Sequence, residues 1–205
     1  MTSLKKNFIY NVVYQMLLII LPLITAPYIA RTLGAEGVGI YSYTYSVAQY
    51  FLLFAMLGIS NHGNRSIAAV REDDCKLSRT FWSIYSIQAF MYVLAIIAYL
   101  IYLFAFNVDN KTIVAIQFIY VVSGALDISW YFFGTEQFKI TVTRNMIIKI
   151  ATVILMFIFV HNPGDLAKYT VIMAGGTFLS QAYLWTYIFR QVDVVKVNWI
   201  DIKKH

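Results

Sequence analysis

The stretch TIVAIQFIYVVSGALDISWYFFG, residues 112–134, holds a single charge, Asp127, in an otherwise uncharged and mostly apolar run. Wound as an α-helix at ~1.5 Å per residue it is about 34 Å long, enough to cross the roughly 30 Å hydrocarbon core of a bilayer. A barrel strand needs only about 10 residues and alternates in polarity, whereas this run is continuous. In lipid a helix also satisfies every backbone donor and acceptor within its own segment. Working outward, comparable charge-poor blocks occupy 7–30, 38–60 and 81–107 before it, and 145–161 and 169–189 after it, with Lys149 near the start of the fifth. The pattern predicts an all-α integral membrane protein, a six-transmembrane-helix bundle over residues 1–190. Residues 191–205 are more polar, and Val192, Val195, Trp199 and Ile202 recur every three or four positions, as in an amphipathic segment lying on a membrane surface.

Composition agrees. Of 205 residues, 60% are hydrophobic and 13% charged, against roughly 45–50% and about 25% in soluble domains. The single cysteine, Cys75, cannot form an intramolecular bridge. A net charge of +6 could suggest nucleic acid, but the basic residues follow membrane sidedness instead. If the N-terminus is cytoplasmic, the inner segments hold Lys5, Lys6, Arg65, Arg71, Lys76, Arg79, Lys139, Arg144, Lys149, Arg190, Lys196, Lys203 and Lys204, and the outer loops hold Arg31, Lys111 and Lys168. Thirteen against three is a strong positive-inside bias that places both termini in the cytoplasm. The apolar stretch after Lys5 and Lys6 is too long for a signal peptide, so the first helix is retained. Tyr28, Trp82, Trp130, Tyr131, Trp185 and Tyr187 fall near block ends, where interfacial belts lie.

Polar residues in lipid-spanning helices should face protein or water. Asn7, Asn11 and Gln15 recur every four residues in the first block, and Ser42, Ser46 and Gln49 share a face of the second. In the fourth, Gln117, Tyr120, Gly124, Asp127 and Tyr131 fall on one face. Each stripe fits either interhelical hydrogen bonds or a shared aqueous cavity. Asp127, about 22 Å into its helix, needs a partner, water or a proton. Lys149 is the nearest cation across the following hairpin, which predicts an Asp127–Lys149 pair. Pro22 and Pro27 each remove a backbone donor and predict a bend or unwinding in the first helix. Arg31, just ahead of Gly34, Gly37 and Gly39, is either an interfacial arginine before a turn or a guanidinium at a cavity mouth.

The sequence holds no GxxxxGK[ST] loop and no HExxH, and His62, His161 and His205 lie far apart, so ATP hydrolysis and zinc chemistry have no support. No cofactor or metal is expected. Asp73 and Asp74, in VREDDCKLSR, read as a solvated charged loop rather than a glycosyltransferase metal site.

Four ordered stretches carry a resemblance: PLITAPYIARTLGAEGVGIYSY (22–43), LGISNHGNRSIAAVRED (57–73), FWSIYSIQ (81–88) and DISWYFFGTEQFKITVTRNMIIKI (127–150). Together they resemble the Wzx-type polysaccharide and O-antigen repeat-unit flippases of bacteria, part of the multidrug/oligosaccharidyl-lipid/polysaccharide exporter superfamily. The resemblance implies a transporter, not an enzyme, in the bacterial inner membrane. It would move undecaprenyl-diphosphate-linked oligosaccharides from the cytoplasmic to the outer leaflet by alternating access between two six-helix lobes. This chain corresponds to the N-terminal lobe, with 191–205 as the tail or the start of an inter-lobe linker. Its implied partners are the lipid-linked oligosaccharide, membrane lipid, and a C-terminal lobe or second chain.

A diphosphate and its sugars cannot cross hydrocarbon unpaired, while the polyprenyl tail can remain in lipid. That requirement selects Arg31, Arg65, Arg144 and Lys149 as basic candidates and Asp127, Gln15, Gln49 and Gln117 as polar lining. Three rivals stand beside it. A drug or metabolite exporter lobe of the same superfamily would have a more acidic and aromatic cavity with few basic residues, and a non-transporting remnant or a purely structural membrane partner would need no site at all.

Overall fold

The computed structural model describes residues 2–106 and 108–195, with side chains for residue 16 and from residue 19 onward within those ranges. The Gln15 side chain and the tail beyond 195, including Trp199, lie outside the described residues. Among those described, all regular structure is helical: α1 (Thr2–Ala55), α2 (Ile59–Val70), α3 (Asp74–Ala105), α4 (Lys111–Ala125), α5 (Ser129–Gly134), α6 (Phe138–Phe159), a 3₁₀ turn at Pro163–Asp165, and α7 (Leu166–Ile188). The all-α membrane class read from the sequence stands. Among the described residues, three stretches are long and apolar enough to cross a bilayer: Asp74–Ala105, Lys111–Gly134 and Phe138–Phe159.

The first two sequence blocks form one helix with a break, not two helices joined by a loop. Both prolines sit inside α1 without unwinding it, and the non-helical backbone falls at Gly34, with φ 69° and ψ 175°. That region is open essentially to glycine alone, so the helical ladder is interrupted there, and the unwinding expected at Pro22 and Pro27 is not seen. The second block ends at Ala55. Gly58, at φ 77°, then starts α2, whose Gly63 and Ile67 are buried while Asn64 and Arg65 are exposed. The fourth block is broken too, between α4 and α5. The helix of the fifth block, α6, begins at Phe138, seven residues before the charge-poor run, because basic side chains are compatible with a helix end near the membrane surface.

Loop chemistry sets the remaining ends. The Asp73 side chain accepts from the Lys76 amide at 3.0 Å and pairs with its ammonium at 2.9 Å, so this part-exposed residue of the α2–α3 connection also caps α3. Those contacts, the amide first, hold its carboxyl below the usual range. Asp165 braces the connection before α7 differently, accepting from upstream amides and not from those of that helix's first turn. One of its oxygens takes the His161 and Asn162 amides at 2.9 and 3.1 Å, and the other meets Lys168 at 2.7 Å. The Tyr28 hydroxyl donates to Val160 O at 2.7 Å, tying the first half of α1 to the end of α6. At the opposite end Trp82 Nε1 donates to Asp193 O at 2.9 Å, tying the start of α3 to the chain after α7. Arg31 and Lys168 therefore belong to one end, and Lys76, Arg79 and Arg190 to the other.

The core has three clusters. Ile67, Phe81, Trp130, Phe132 and Leu184 join α2, α3, α5 and α7; Ala48, Tyr92, Tyr99, Val114 and Val121 join α1, α3 and α4; Ile29, Leu33, Met156 and Val160 join α1 to α6. Trp130 and Tyr131 are each 1% exposed, which removes them from the interfacial belt expected for them. Outside the clusters, large apolar side chains such as Leu23, Phe54, Phe104 and Leu179 are open. In water that arrangement would be unfavourable by about 25 cal/mol per Å². Against lipid tails it is neutral, so helix contacts rest on packing and hydrogen bonds.

A polar and aromatic cavity at the helix break

Gly124 and Asp127 determine the site's local structure. The Asp127 carboxylate takes the amide of Ser129 at 2.9 Å through Oδ1, an Asx turn that competes with the helical ladder and ends α4. Breaking a helix inside a bundle frees carbonyls that must find donors. Gln88, fully buried on α3, supplies them: its Nε2 donates to Asp127 O at 2.9 Å and lies 3.4 Å from Gly124 O and Ala125 O. Its Oε1 accepts from Trp130 Nε1 at 2.9 Å, and Trp185 Nε1 on α7 covers Leu126 O at 3.0 Å. One amide and two indoles thus clasp the break. None of them stands among the site candidates of the sequence, where Trp130 and Trp185 read as belt residues, although Gln88, a polar residue deep in an apolar block, was an available signal.

Beside this break lies a cavity of about 590 Å³ between α1, α3, α4 and α7. From α1 come Tyr45, Ser46 and Gln49, which share a face, and Met56 follows its end; α3 contributes Tyr92; α4 and its end contribute Tyr120, Ser123, Gly124 and Asp127; α7 contributes Thr177 and Gln181, one turn apart. Gly124 is needed because a Cβ there would press on Leu52 and come within 2.6 Å of Tyr92. Beyond Tyr45 the rings continue as a buried polar cluster. Tyr41 and Tyr120 share a hydroxyl contact of 3.1 Å, and Tyr45 meets Tyr120 edge-on at 5.0 Å.

Of the sequence candidates with described side chains, Asp127 and Gln49 line this cavity and Arg31, Arg65, Gln117, Arg144 and Lys149 do not. Gln117 is fully buried in the α1–α4 contact, its Nε2 reaching Thr44 Oγ1 at 3.2 Å and Tyr41 O at 3.4 Å, while its Oε1 has no partner among the described residues. It ties helices together beside the cavity. Arg31 is exposed at the opposite end and Arg65 is exposed on α2. The expected Asp127–Lys149 pair is not made: the ion pairs among the described residues are Arg71–Glu136, Lys76–Asp73 and Lys168–Asp165. The α4–α5 break is the reason, since it turns the carboxylate back onto the Ser129 amide and into the cavity. Arg144, 5% exposed, donates through Nη1 to Ser180 O and to Gln181 Oε1, both at 3.0 Å, and through Nε and Nη2 to Asn145 Oδ1. It stands one residue behind the cavity wall. As described, the lining is aromatic, amide-bearing and acidic, with no basic side chain among its residues.

The chain matches the family described as polysaccharide biosynthesis protein over residues 4–204. It is 29% identical over 204 residues to a protein of Escherichia coli (strain K12) named "Putative O-antigen transporter", an alignment covering 97% of this chain and 47% of that protein. The chain thus spans about half the length of the curated relative it matches. No solved structure matches it at a significant level. A profile that accounts for nearly every residue of an apolar helical chain with a cavity at its helix break shows its family: the chain belongs to the polysaccharide biosynthesis proteins, the group that the four ordered stretches resemble.

Proposed function

We propose that this chain is the N-terminal lobe of a flippase that moves undecaprenyl-diphosphate-linked oligosaccharide repeat units across the bacterial inner membrane by alternating access. The observation that carries the reading is the joint one of family and cavity: a polysaccharide biosynthesis chain with an open site of about 590 Å³ that sets amide, hydroxyl and carboxylate groups among apolar side chains. Sugar hydroxyls lose water on entering a membrane and need replacement partners. The amide, hydroxyl and carboxylate groups of the cavity can supply them, while the polyprenyl tail stays among the exposed apolar side chains. Six crossings with both termini cytoplasmic are part of this reading, supported by the thirteen-to-three split of basic residues.

The flipping cycle requires a second lobe, whether from further sequence or from a partner chain, because alternating access needs two bodies that rock about the site. Arg31, Arg65, Arg144 and Lys149 remain the basic groups that this lobe can offer to a diphosphate, from positions outside the cavity. A second reading has a specific observation in its favour. The acidic and aromatic lining without a basic residue is what a drug or metabolite exporter lobe would have. Native mass spectrometry of the chain purified from cells blocked in glycan export separates the two. The flippase reading expects co-purified lipid-linked oligosaccharide. Recovery of none, with tight binding of a hydrophobic cation, would overturn it.

A further inference from the structure

Gln181 has a direction that its surroundings dictate. Arginine has donors and no acceptor, so the Gln181 atom 3.0 Å from Arg144 Nη1 must be the carbonyl oxygen. Arg144 is itself fixed, buried and bonded to Ser180 O and Asn145 Oδ1. The amide group of Gln181 is thereby turned away from Arg144, and among the described residues its Nε2 makes no hydrogen bond, on a residue that borders the cavity. Asp127 is the complement. Its Oδ1 is held by the Ser129 amide, its Oδ2 has no protein donor among the described residues, and no basic side chain lines the cavity. One fixed donor and one fixed charged acceptor therefore border a space walled by Tyr45, Tyr92 and Tyr120.

We infer that this cavity takes a hydroxyl-bearing sugar ring, held between the Gln181 amide as donor and the Asp127 carboxylate as acceptor, with Arg144 as the positioning residue that sets the direction of Gln181. The inference rests on the flippase reading and assigns the glycan, not the diphosphate, to this site. A sugar presents hydroxyls that both donate and accept along its edge and an apolar C–H face suited to tyrosine rings. A diphosphate would meet Asp127 as a like charge with no cation to offset it. The volume lies within the ~300–1,000 Å³ usual for small-ligand sites. A site built to hydrogen-bond hydroxyls rejects a ligand lacking them, because its polar groups are then left buried and unpaired.

The test uses the full chain in lipid nanodiscs and two probes, undecaprenyl-diphosphate-N-acetylglucosamine and undecaprenyl diphosphate without a sugar. The expected result is tighter binding of the sugar-bearing lipid by about tenfold or more, the scale of one hydrogen bond to a charged group. Gln181→Glu preserves size and turns the Arg144 contact into an ion pair, so the fold is retained and the thermal midpoint holds or rises. It replaces the donor with an acceptor, and the sugar preference should vanish with affinity for the bare lipid unchanged. Arg144→Lys should reduce the preference too, with no further loss in the Arg144→Lys/Gln181→Glu double variant. A merely structural Arg144 would instead lower the midpoint and weaken both lipids equally. Equal affinity of the unmodified chain for the two lipids would overturn the inference and leave the flippase reading standing, as would an unchanged preference in Gln181→Glu. Failure to bind either lipid would defeat the flippase reading itself. Binding of tetraphenylphosphonium that depends on Asp127 and Gln181, with no effect of the sugar, would make the cavity a cation site and also overturn the inference.

Discussion

Asp165 joins three backbone and side-chain donors at the connection before α7, and its carboxyl is pushed down to about 2, chiefly by Lys168 and then by the His161 and Asn162 amides. A carboxyl whose folded value lies below its ordinary 3.8 stabilises the fold at pH above 3.8. That contribution is lost as pH falls through the interval from about 4 to about 2. Thermal midpoints in detergent between pH 6 and pH 2 should decline most steeply in that interval, and Asp165→Asn should lower the midpoint at pH 6 while flattening the decline. An unaltered profile in the variant would show that the contact has no energetic weight. Gln88 is the more demanding case because burial is complete. Gln88→Leu strands the Asp127 carbonyl and the Trp130 indole, at about 1–3 kcal/mol for each orphaned group. A Gln88→Leu chain as stable as the parent in denaturant titration would contradict the clasp. Asp127 was legible from the sequence as a membrane-embedded acid facing the bundle interior, because its helical stripe marked the face. Its partner was not: the choice of Lys149 assumed an unbroken helix, and the Asx turn at Ser129 depends on a local competition that periodicity does not register.

The helices carry two devices that apolar run length cannot reveal. One is Gly34, where a positive φ in an otherwise helical 54-residue element turns the chain. A side chain there meets nothing within 4 Å, so the effect of Gly34→Ala is backbone strain alone, about 1–3 kcal/mol. The second is Gly124, where a Cβ would crowd Leu52 and Tyr92, a buried residue of the core. Gly124→Ala should destabilise by about 1–3 kcal/mol, as overpacking does, and should also narrow the cavity wall. Reversible unfolding in mixed detergent measures both, and a neutral Gly124→Ala would mean that Tyr92 gives way freely. Runs without charge located the apolar stretches well, since lipid selects on that property. They merged α4 with α5 and missed α2, because a break satisfied by Gln88 and Trp185 and an amphipathic surface helix leave no charge-based mark. The unwinding expected at the prolines falls instead at Gly34, because a missing donor leaves proline's φ helical whereas the positive φ of a glycine does not.

Among the described residues, many apolar side chains face outward, three packed clusters hold the helices, and the cavity sits at the α4–α5 break clasped by side chains from α3 and α7. Basic residues gather toward the end that carries Lys76, Arg79 and Arg190. In intact cells the account therefore expects native Cys75 to be shielded from an impermeant thiol reagent, and a cysteine placed at Asn110 to be labelled; the reverse pattern would invert the orientation. Membrane class and family were legible from composition and from four ordered stretches. The cationic character assigned to the cavity was not confirmed by the lining, because the sequence census counted basic residues without knowing which helix faces converge. The most direct measurement is surface polysaccharide in a strain lacking the E. coli relative, supplied with this chain joined to the second half of that relative. Restored surface glycan, abolished by Asp127→Asn at unchanged protein abundance, is the predicted result. Abundant, membrane-inserted protein that restores no glycan while conferring resistance to cationic drugs would contradict the account.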